Sequence, residues 1–371
     1  MKPYLLSLLL IFVILDTVPT ISSSLTFEFK PLPLKTNNPK LTKNIQKALD
    51  KSLSGFPKSV INKVLNKELL RTYIINYFKN TDKKGNLKTR RPPSNFTKVR
   101  EEWHKLMPKS SQINKVEIDG LKTVKEYLSR YGYMPRSKSF TNVLDRRTES
   151  AIEDYQKFFN LKASGTLDDK ETVKQMSLLR CGVPDVNSFQ LSETLLWPLG
   201  TGWFPKHRTE LTYGFYPASK FSPKAIKVFR DSFKRWSLPL RGFINFTEAK
   251  AFDKANIQIG YAAMNELFGV EAVGAAFMVK QSNYHRIFML IDSSKYWAYP
   301  DDNLADTPLW KLGVVDLETV AMHQIGHVLG LNHSSHKESV MYPSILPDQQ
   351  RKVDLSKDDK EQIRKAFYIV P

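Results

Sequence analysis

Three histidines, His323, His327 and His333, fall within the stretch MHQIGHVLGLNH at residues 322–333. Residues four apart on a helix share a face, about one turn from each other, so His323 and His327 can address one point. Gly330 can end that helix and turn the chain back, which lets His333 approach the same point. Three neutral imidazoles with one position left open form the ligand set of a catalytic-type zinc site, whereas structural sites fill all four positions. His336 is a second candidate for the third ligand. Zinc lowers the pKa of its bound water to about 7 and polarises a carbonyl, but hydrolysis also needs a group that takes and returns a proton. The residue after the first histidine is Gln324. An amide can hold a water by hydrogen bonding and cannot shuttle its proton; general acid/base catalysis is typically worth about 10² to 10⁴ in rate. Either another group supplies the base, or zinc-bound hydroxide alone sustains slow turnover, or hydrolysis is lost. Asp316 and Glu318 lie at the start of the helix, where they read as cap and dipole partners.

A metal in a cleft needs a scaffold of strands and a ligand-bearing helix. The strand candidates are LTYGFY, NIQIGY, GAAFMV and IFMLI, followed by a helix opening near Asp316. SPKAIKVFRDSFKRW predicts a helix with Ser222 as N-cap, Pro223 at its first position and Phe229, Phe233 and Trp236 on a core face. Upstream, IDGLKTVKEYLSRYGYM places Leu121, Val124, Tyr127 and Leu128 on one helical face, and ESAIEDYQKFFNL does the same with Ile152, Tyr155, Phe158 and Phe159. A third helix follows the turn at Gly165 and ends at LRCGVPD. The fold class expected is α+β, with a small helical module preceding the mixed region.

With 371 residues the chain can form two compact domains. Lys2, the apolar run Leu5–Leu15 and the small residues Ser22–Ser24 predict a signal peptide over 1–24. No later segment is long and apolar enough to span a membrane, and the C-terminal KAFYIVP lacks a lipid-anchor pattern, so a secreted, extracellular protein of the cell wall or matrix is expected. Asn95, Asn245 and Asn332 each begin a glycan acceptor triplet. Cys181 is the single cysteine, so it has no partner for an internal disulfide. It is either a buried small apolar residue or a reactive group. The formal charge is +19, and 21 Lys and Arg against 6 Asp and Glu fall between Leu25 and Lys115. That run is a solvated face or a surface for an acidic extracellular polysaccharide, and nucleic acid is excluded as a partner for a secreted chain. NTDKKGNLKTRRPPSN within it reads as an exposed loop and processing site.

HQIGHVLGLNH followed by SVMYPS resembles the matrix metalloproteinases, the matrixin branch of the metzincin zinc metallopeptidases, and among them the plant type. Met341 falls eight residues past His333, the spacing of that family's methionine turn, and would lie beneath the metal. LRCGVPD resembles the family's cysteine switch, with Leu179 where the family usually has proline, and the helices before it resemble a peptidoglycan-binding-like prodomain. The resemblance implies a metzincin catalytic domain, a twisted mixed sheet plus long helices, preceded by a small three-helix prodomain. The expected domains are the signal peptide at 1–24, a lysine-rich extension at 25–115, the prodomain at 116–186 and the metallopeptidase domain at 190–371. It implies one zinc on His323, His327 and His333, with Cys181 as fourth ligand in a latent form and Arg180 and Asp185 bracing the switch loop through an ion pair. Where the family carries further histidines and an acidic calcium loop, residues 260–297 offer only His285 and an acidic remnant, Asp292, so a structural zinc and a calcium site are not expected. GAAFMV corresponds to the cleft's upper rim, where a peptide pairs by strand addition. The function implied is a latent zinc endopeptidase acting on peptides or proteins, with hydrolysis strongly impaired by Gln324. The alternatives are an inactive pseudo-protease that binds peptides or protease inhibitors, and a polyanion-binding extracellular protein.

Overall fold

The computed structural model describes residues 96–106, 116–186, 195–196, 210–240, 243–264, 272–280, 285–302, 314–346 and 351–367, all within one compact unit spanning Pro92–Pro371. The signal peptide read at 1–24 and the basic stretch up to residue 95, with its processing loop, lie outside the described residues.

Apolar residues at helical spacing assemble the first part. Helix α1 runs Phe96–Leu106, α2 Leu121–Arg130, α3 Arg146–Phe158 and α4 Lys170–Met176. Asp145 caps α3 by accepting from the Thr148 N–H, and Asp169 caps α4 by accepting from that of Glu171, so both starts satisfy donors that a helix leaves open. The faces read from sequence are buried: Leu121, Val124 and Leu128 meet Ile152, Tyr155 and Phe159 in one core. Three helices were expected, and the described residues show a fourth. Phe96, Val99 and Trp103 of α1 enter the same core, so the packed unit begins upstream of the boundary drawn at Val116. Sequence reading missed α1 because its apolar residues are few and it follows a long polar, basic run.

The second part is a six-stranded mixed sheet with helices against it. The strands are β1 Leu195–Leu196, β2 Glu210–Phe215, β3 Asn245–Glu248, β4 Ile257–Ala262, β5 Gly274–Lys280 and β6 His285–Asp292, in the order β1-β5-β6-β4-β2-β3. Strands β3, β2, β4 and β6 pair in parallel, while β5 runs antiparallel to both β6 and β1. Strand β7 (Tyr296–Ala298) and strand β8 (Val314–Asp316) form a separate parallel pair. The α-helices of this part among the described residues are α5 (Pro223–Ser237), α6 (Leu317–Val328) and α7 (Lys357–Ala366). Ser222 caps α5 through the Ala225 N–H, and Pro223 follows at the first position, where its missing N–H costs nothing. Helix α6 is buried on every face, against α5 on one side and the sheet on the other, so it has little freedom to shift the side chains it carries.

Candidate metal centre

Asp316 opens α6 by accepting a 2.7 Å hydrogen bond from the Thr319 N–H, and its other oxygen takes the Arg351 side chain. Glu318 is buried beside Arg235 and Arg351. Both carboxylates are thus committed at the helix start. Two turns further on, His323 and His327 project from one face. Gly330 has φ +87°, a left-handed conformation that a side chain would strain, and there the chain turns to bring in His333.

The three imidazoles converge through their Nε2 atoms, which lie 3.1, 3.1 and 3.2 Å apart. Each ring is oriented by its other nitrogen. Nδ1 of His323 donates to the Val340 carbonyl at 2.8 Å, and that of His327 to the Leu331 carbonyl at 2.9 Å. Nδ1 of His333 bonds a carboxylate oxygen of Asp185 at 2.7 Å. With every Nδ1 engaged as a donor, the Nε2 lone pairs face one another and are free for a cation. Burial pushes all three imidazoles below their ordinary pKa, His323 and His327 well below, so the rings stay neutral as a metal requires.

Cys181 completes the group. Its Sγ is 3.4 Å from His327 Nε2, and the four ligand atoms all lie within 4.8 Å of one another. A tetrahedral zinc, with bonds of about 2.0–2.1 Å to nitrogen and 2.3 Å to sulfur, holds neighbouring ligand atoms about 3.3–3.6 Å apart, so this donor set fits it. No carboxylate belongs to the group among the described residues. Burial pushes the Cys181 thiol up to about 11, offset in part by hydrogen bonds from the Val183 N–H and the Gln324 side chain. A bound dication would reverse that balance, because a coordinating thiol gives up its proton.

The loop bearing Cys181 lies extended between two segments. On one side the Val273 N–H donates to the Arg180 carbonyl, and the Gly182 N–H to that of Gly274. On the other the Cys181 N–H donates to the Pro343 carbonyl, and the Ile345 N–H to that of Leu179. The loop is thus hydrogen-bonded through its backbone on both sides, at the start of the strand read as the rim. Arg180 is fully buried over the Tyr131 ring, 3.5 Å from its centroid, and donates to the Tyr127 hydroxyl and to Asp185 at 3.1 and 2.5 Å. Burial alone would raise the Asp185 carboxyl; the charge of Arg180 and the bond from His333 outweigh it and hold the pKa below the usual carboxylate value.

Gln324 is fully buried, its Nε2 donates to Cys181 Sγ at 3.3 Å, and its Oε1 has no partner. Met341 is buried against α6, where a Cβ on Gly326 would overlap its sulfur. Sequence reading passed over Gly326, although a glycine inside a helix is a signal of close approach. It also passed over Asp359, which accepts from the Ser339 hydroxyl and the Val340 N–H and so anchors the turn carrying Met341. The contact from Asp185 to His333 was not foreseen either. His336 stays outside the ligand group and contacts Ser334 and Asp358. His285 opens β6, paired with Lys280, and Asp292 accepts from the backbone and hydroxyl of Ser294 in the turn that follows.

Comparison with known proteins gives the chain's family. The Matrixin family profile matches residues 203–368, and a peptidoglycan binding domain profile matches residues 118–176. Metalloendoproteinase 5-MMP of Arabidopsis thaliana is 34% identical over 67% of this chain and 71% of its own length. Metalloendoproteinase 1 of Glycine max is 34% identical over 68% of this chain and 83% of its own. A more distant relative, Matrilysin of Rattus norvegicus, is 27% identical over 70% of this chain and 90% of its own.

Proposed function

The chain belongs to the matrixin family of zinc metalloendopeptidases, and from that premise we propose that it is a secreted, latent member whose peptide cleft is intact and whose hydrolysis is strongly impaired. His323, His327 and His333 would hold the zinc, and Cys181 would fill the fourth position until the prodomain is withdrawn. With zinc held there, the site would gain Lewis acidity toward a carbonyl and the means to make a water more acidic. The protein's own share is to position a peptide along the slot now filled by residues 179–182; the proton transfer that hydrolysis also needs is the part the Gln324 amide cannot perform.

The observation that carries the reading is Gln324. It stands beside the fourth-ligand position, 3.3 Å from Cys181 Sγ, and no carboxylate shares the ligand group among the described residues. Asp316 and Glu318, the carboxylates nearest in sequence, are held at the far end of α6 by arginines. An amide there leaves substrate and metal binding in place and removes the proton shuttle. The natural ligands of such a cleft are peptides or protease inhibitors that bind without efficient turnover.

The test compares the chain and its Gln324→Glu variant, each freed of its prodomain by proteolysis and matched for zinc content, on a broad peptide library. The variant is expected to cut about 10² to 10⁴ times faster, the usual worth of a general base. Equal rates would show that another group serves as the base and that the natural protein is a working peptidase.

A second reading rests on the 21 Lys and Arg between Leu25 and Lys115. That segment would bind acidic extracellular polysaccharide and hold the protein in the wall or matrix. Binding that does not weaken as ionic strength rises through the Debye-screening range would dismiss it.

A further inference from the structure

The three imidazoles are not oriented by equivalent partners. His323 and His327 donate from Nδ1 to the carbonyls of Val340 and Leu331, which belong to the same part of the chain as the histidines themselves. His333 instead meets the carboxylate of Asp185, on the loop that carries Cys181. Both of those side chains are fully buried, and the contact at 2.7 Å is the shortest of the three. The same Asp185 oxygen receives Arg180, and its other oxygen receives the Tyr133 hydroxyl at 2.8 Å. The carboxylate is therefore pinned from three directions and aimed at the ring by the aromatic cage of the helical module.

A carboxylate on the distal nitrogen of a ligating histidine fixes the tautomer and raises the basicity of the nitrogen facing the metal; losing such a partner typically costs about 10–100-fold in metal affinity. We propose that Asp185 is a positioning residue for the metal, completing a carboxylate–histidine–metal relay through His333. The loop then adds to zinc retention twice, once through the Cys181 sulfur and once through Asp185. Withdrawal of the loop leaves His323 and His327 oriented as before and His333 without its carboxylate, so the opened protein holds its zinc more loosely than loss of one sulfur ligand accounts for. This inference rests on the reading of the three histidines as zinc ligands.

The experiment uses the full chain in a Cys181→Ala background, where the thiolate contributes nothing, and measures the zinc dissociation constant by chelator competition. Adding Asp185→Asn is expected to weaken zinc binding by about 10–100-fold. Adding Arg130→Met, which removes a hydrogen bond from α2 to the loop carbonyl of Gly182 and leaves Arg180, Asp185 and His333 in place, is expected to change affinity by less than about threefold, since the relay itself survives. An Asp185→Asn constant within twofold of its parent overturns the proposal, as does an Arg130→Met loss equal to that of Asp185→Asn, which would make the effect one of loop bracing only. A parent chain that binds no zinc overturns the ligand reading along with it. Should the double variants fail to fold, proton NMR of the zinc-loaded, unsubstituted chain decides. A His333 Nδ1–H resonance downfield of those of His323 and His327 is expected, and three equivalent resonances would overturn the relay.

Discussion

At the scale of the residue, Gln324 carries two consequences of one exchange, an amide NH2 for a carboxylate oxygen, and both act against hydrolysis. Its Nε2 donates to the Cys181 sulfur, where a glutamate would present a second acceptor to a thiolate. A hydrogen bond to a charged group contributes about 1.5–3 kcal/mol, so the amide favours the closed loop while it removes the base. In the intact chain, Gln324→Glu is expected to raise the alkylation rate of Cys181 by about tenfold or more, in proportion to the open fraction. An unchanged rate would show that the amide does not hold the latch. Gly326 makes a simpler case. Because a Cβ there would overlap the Met341 sulfur and crowd Trp236, Gly326→Ala must displace the Met341 side chain. Overpacking of this kind costs about 1–3 kcal/mol, which denaturant unfolding would register as a lower midpoint at an unchanged slope.

At the scale of the element, α6 and the loop after it work because other segments fix them. Asp359 closes the capping box of α7 by accepting from the Ser356 N–H and also holds the Val340 N–H, and the Val340 carbonyl in turn orients His323, so helix α7 reaches the site through two hydrogen bonds. Trp236 of α5 donates to the Met322 carbonyl at 2.8 Å and locks α5 to the helix that carries the histidines. Helix α1 has the same kind of role in the helical module. Trp103 is fully buried in that core, and Trp103→Ala is expected to cost about 3–5 kcal/mol in unfolding of the intact chain. A loss below about 1 kcal/mol would show that α1 is peripheral, since surface changes stay within about 0.5 kcal/mol.

At the scale of the whole molecule, the metal and the fold should be coupled, because the ligand set draws Cys181, two residues of α6 and the following loop to one point. A ligand that binds only the folded state stabilises it by about 4 kcal/mol at a thousand times its dissociation constant, so chelation of zinc is expected to lower the melting temperature by several degrees, and an unchanged melting curve would contradict a resident metal. Stability should also depend on pH through Lys352, whose amine burial pushes down to about 8, with Asp359 and Glu338 opposing. The folded state then binds fewer protons there than the unfolded chain, so stability rises as pH climbs from about 8 toward the ordinary lysine value of about 10.4. Lys352→Met should flatten that rise, and a rise of the same slope in the variant would assign it elsewhere. By itself the sequence determined which three histidines share metal-ligand spacing, the glutamine that follows the first of them, the lone thiol and the helical and strand periodicities of the main elements, because spacing of 3.6 and 2 and the chemistry of each side chain are local properties. Met341, Arg180 and Asp185 were assigned by resemblance to a family pattern. Only the tertiary structure decided that α1 joins the helical core, that Gly326 makes room for Met341, that Asp359 anchors the methionine turn and that Asp185 orients His333. Those contacts join residues up to 148 positions apart, and partners at such distances are chosen by packing, which no local pattern records.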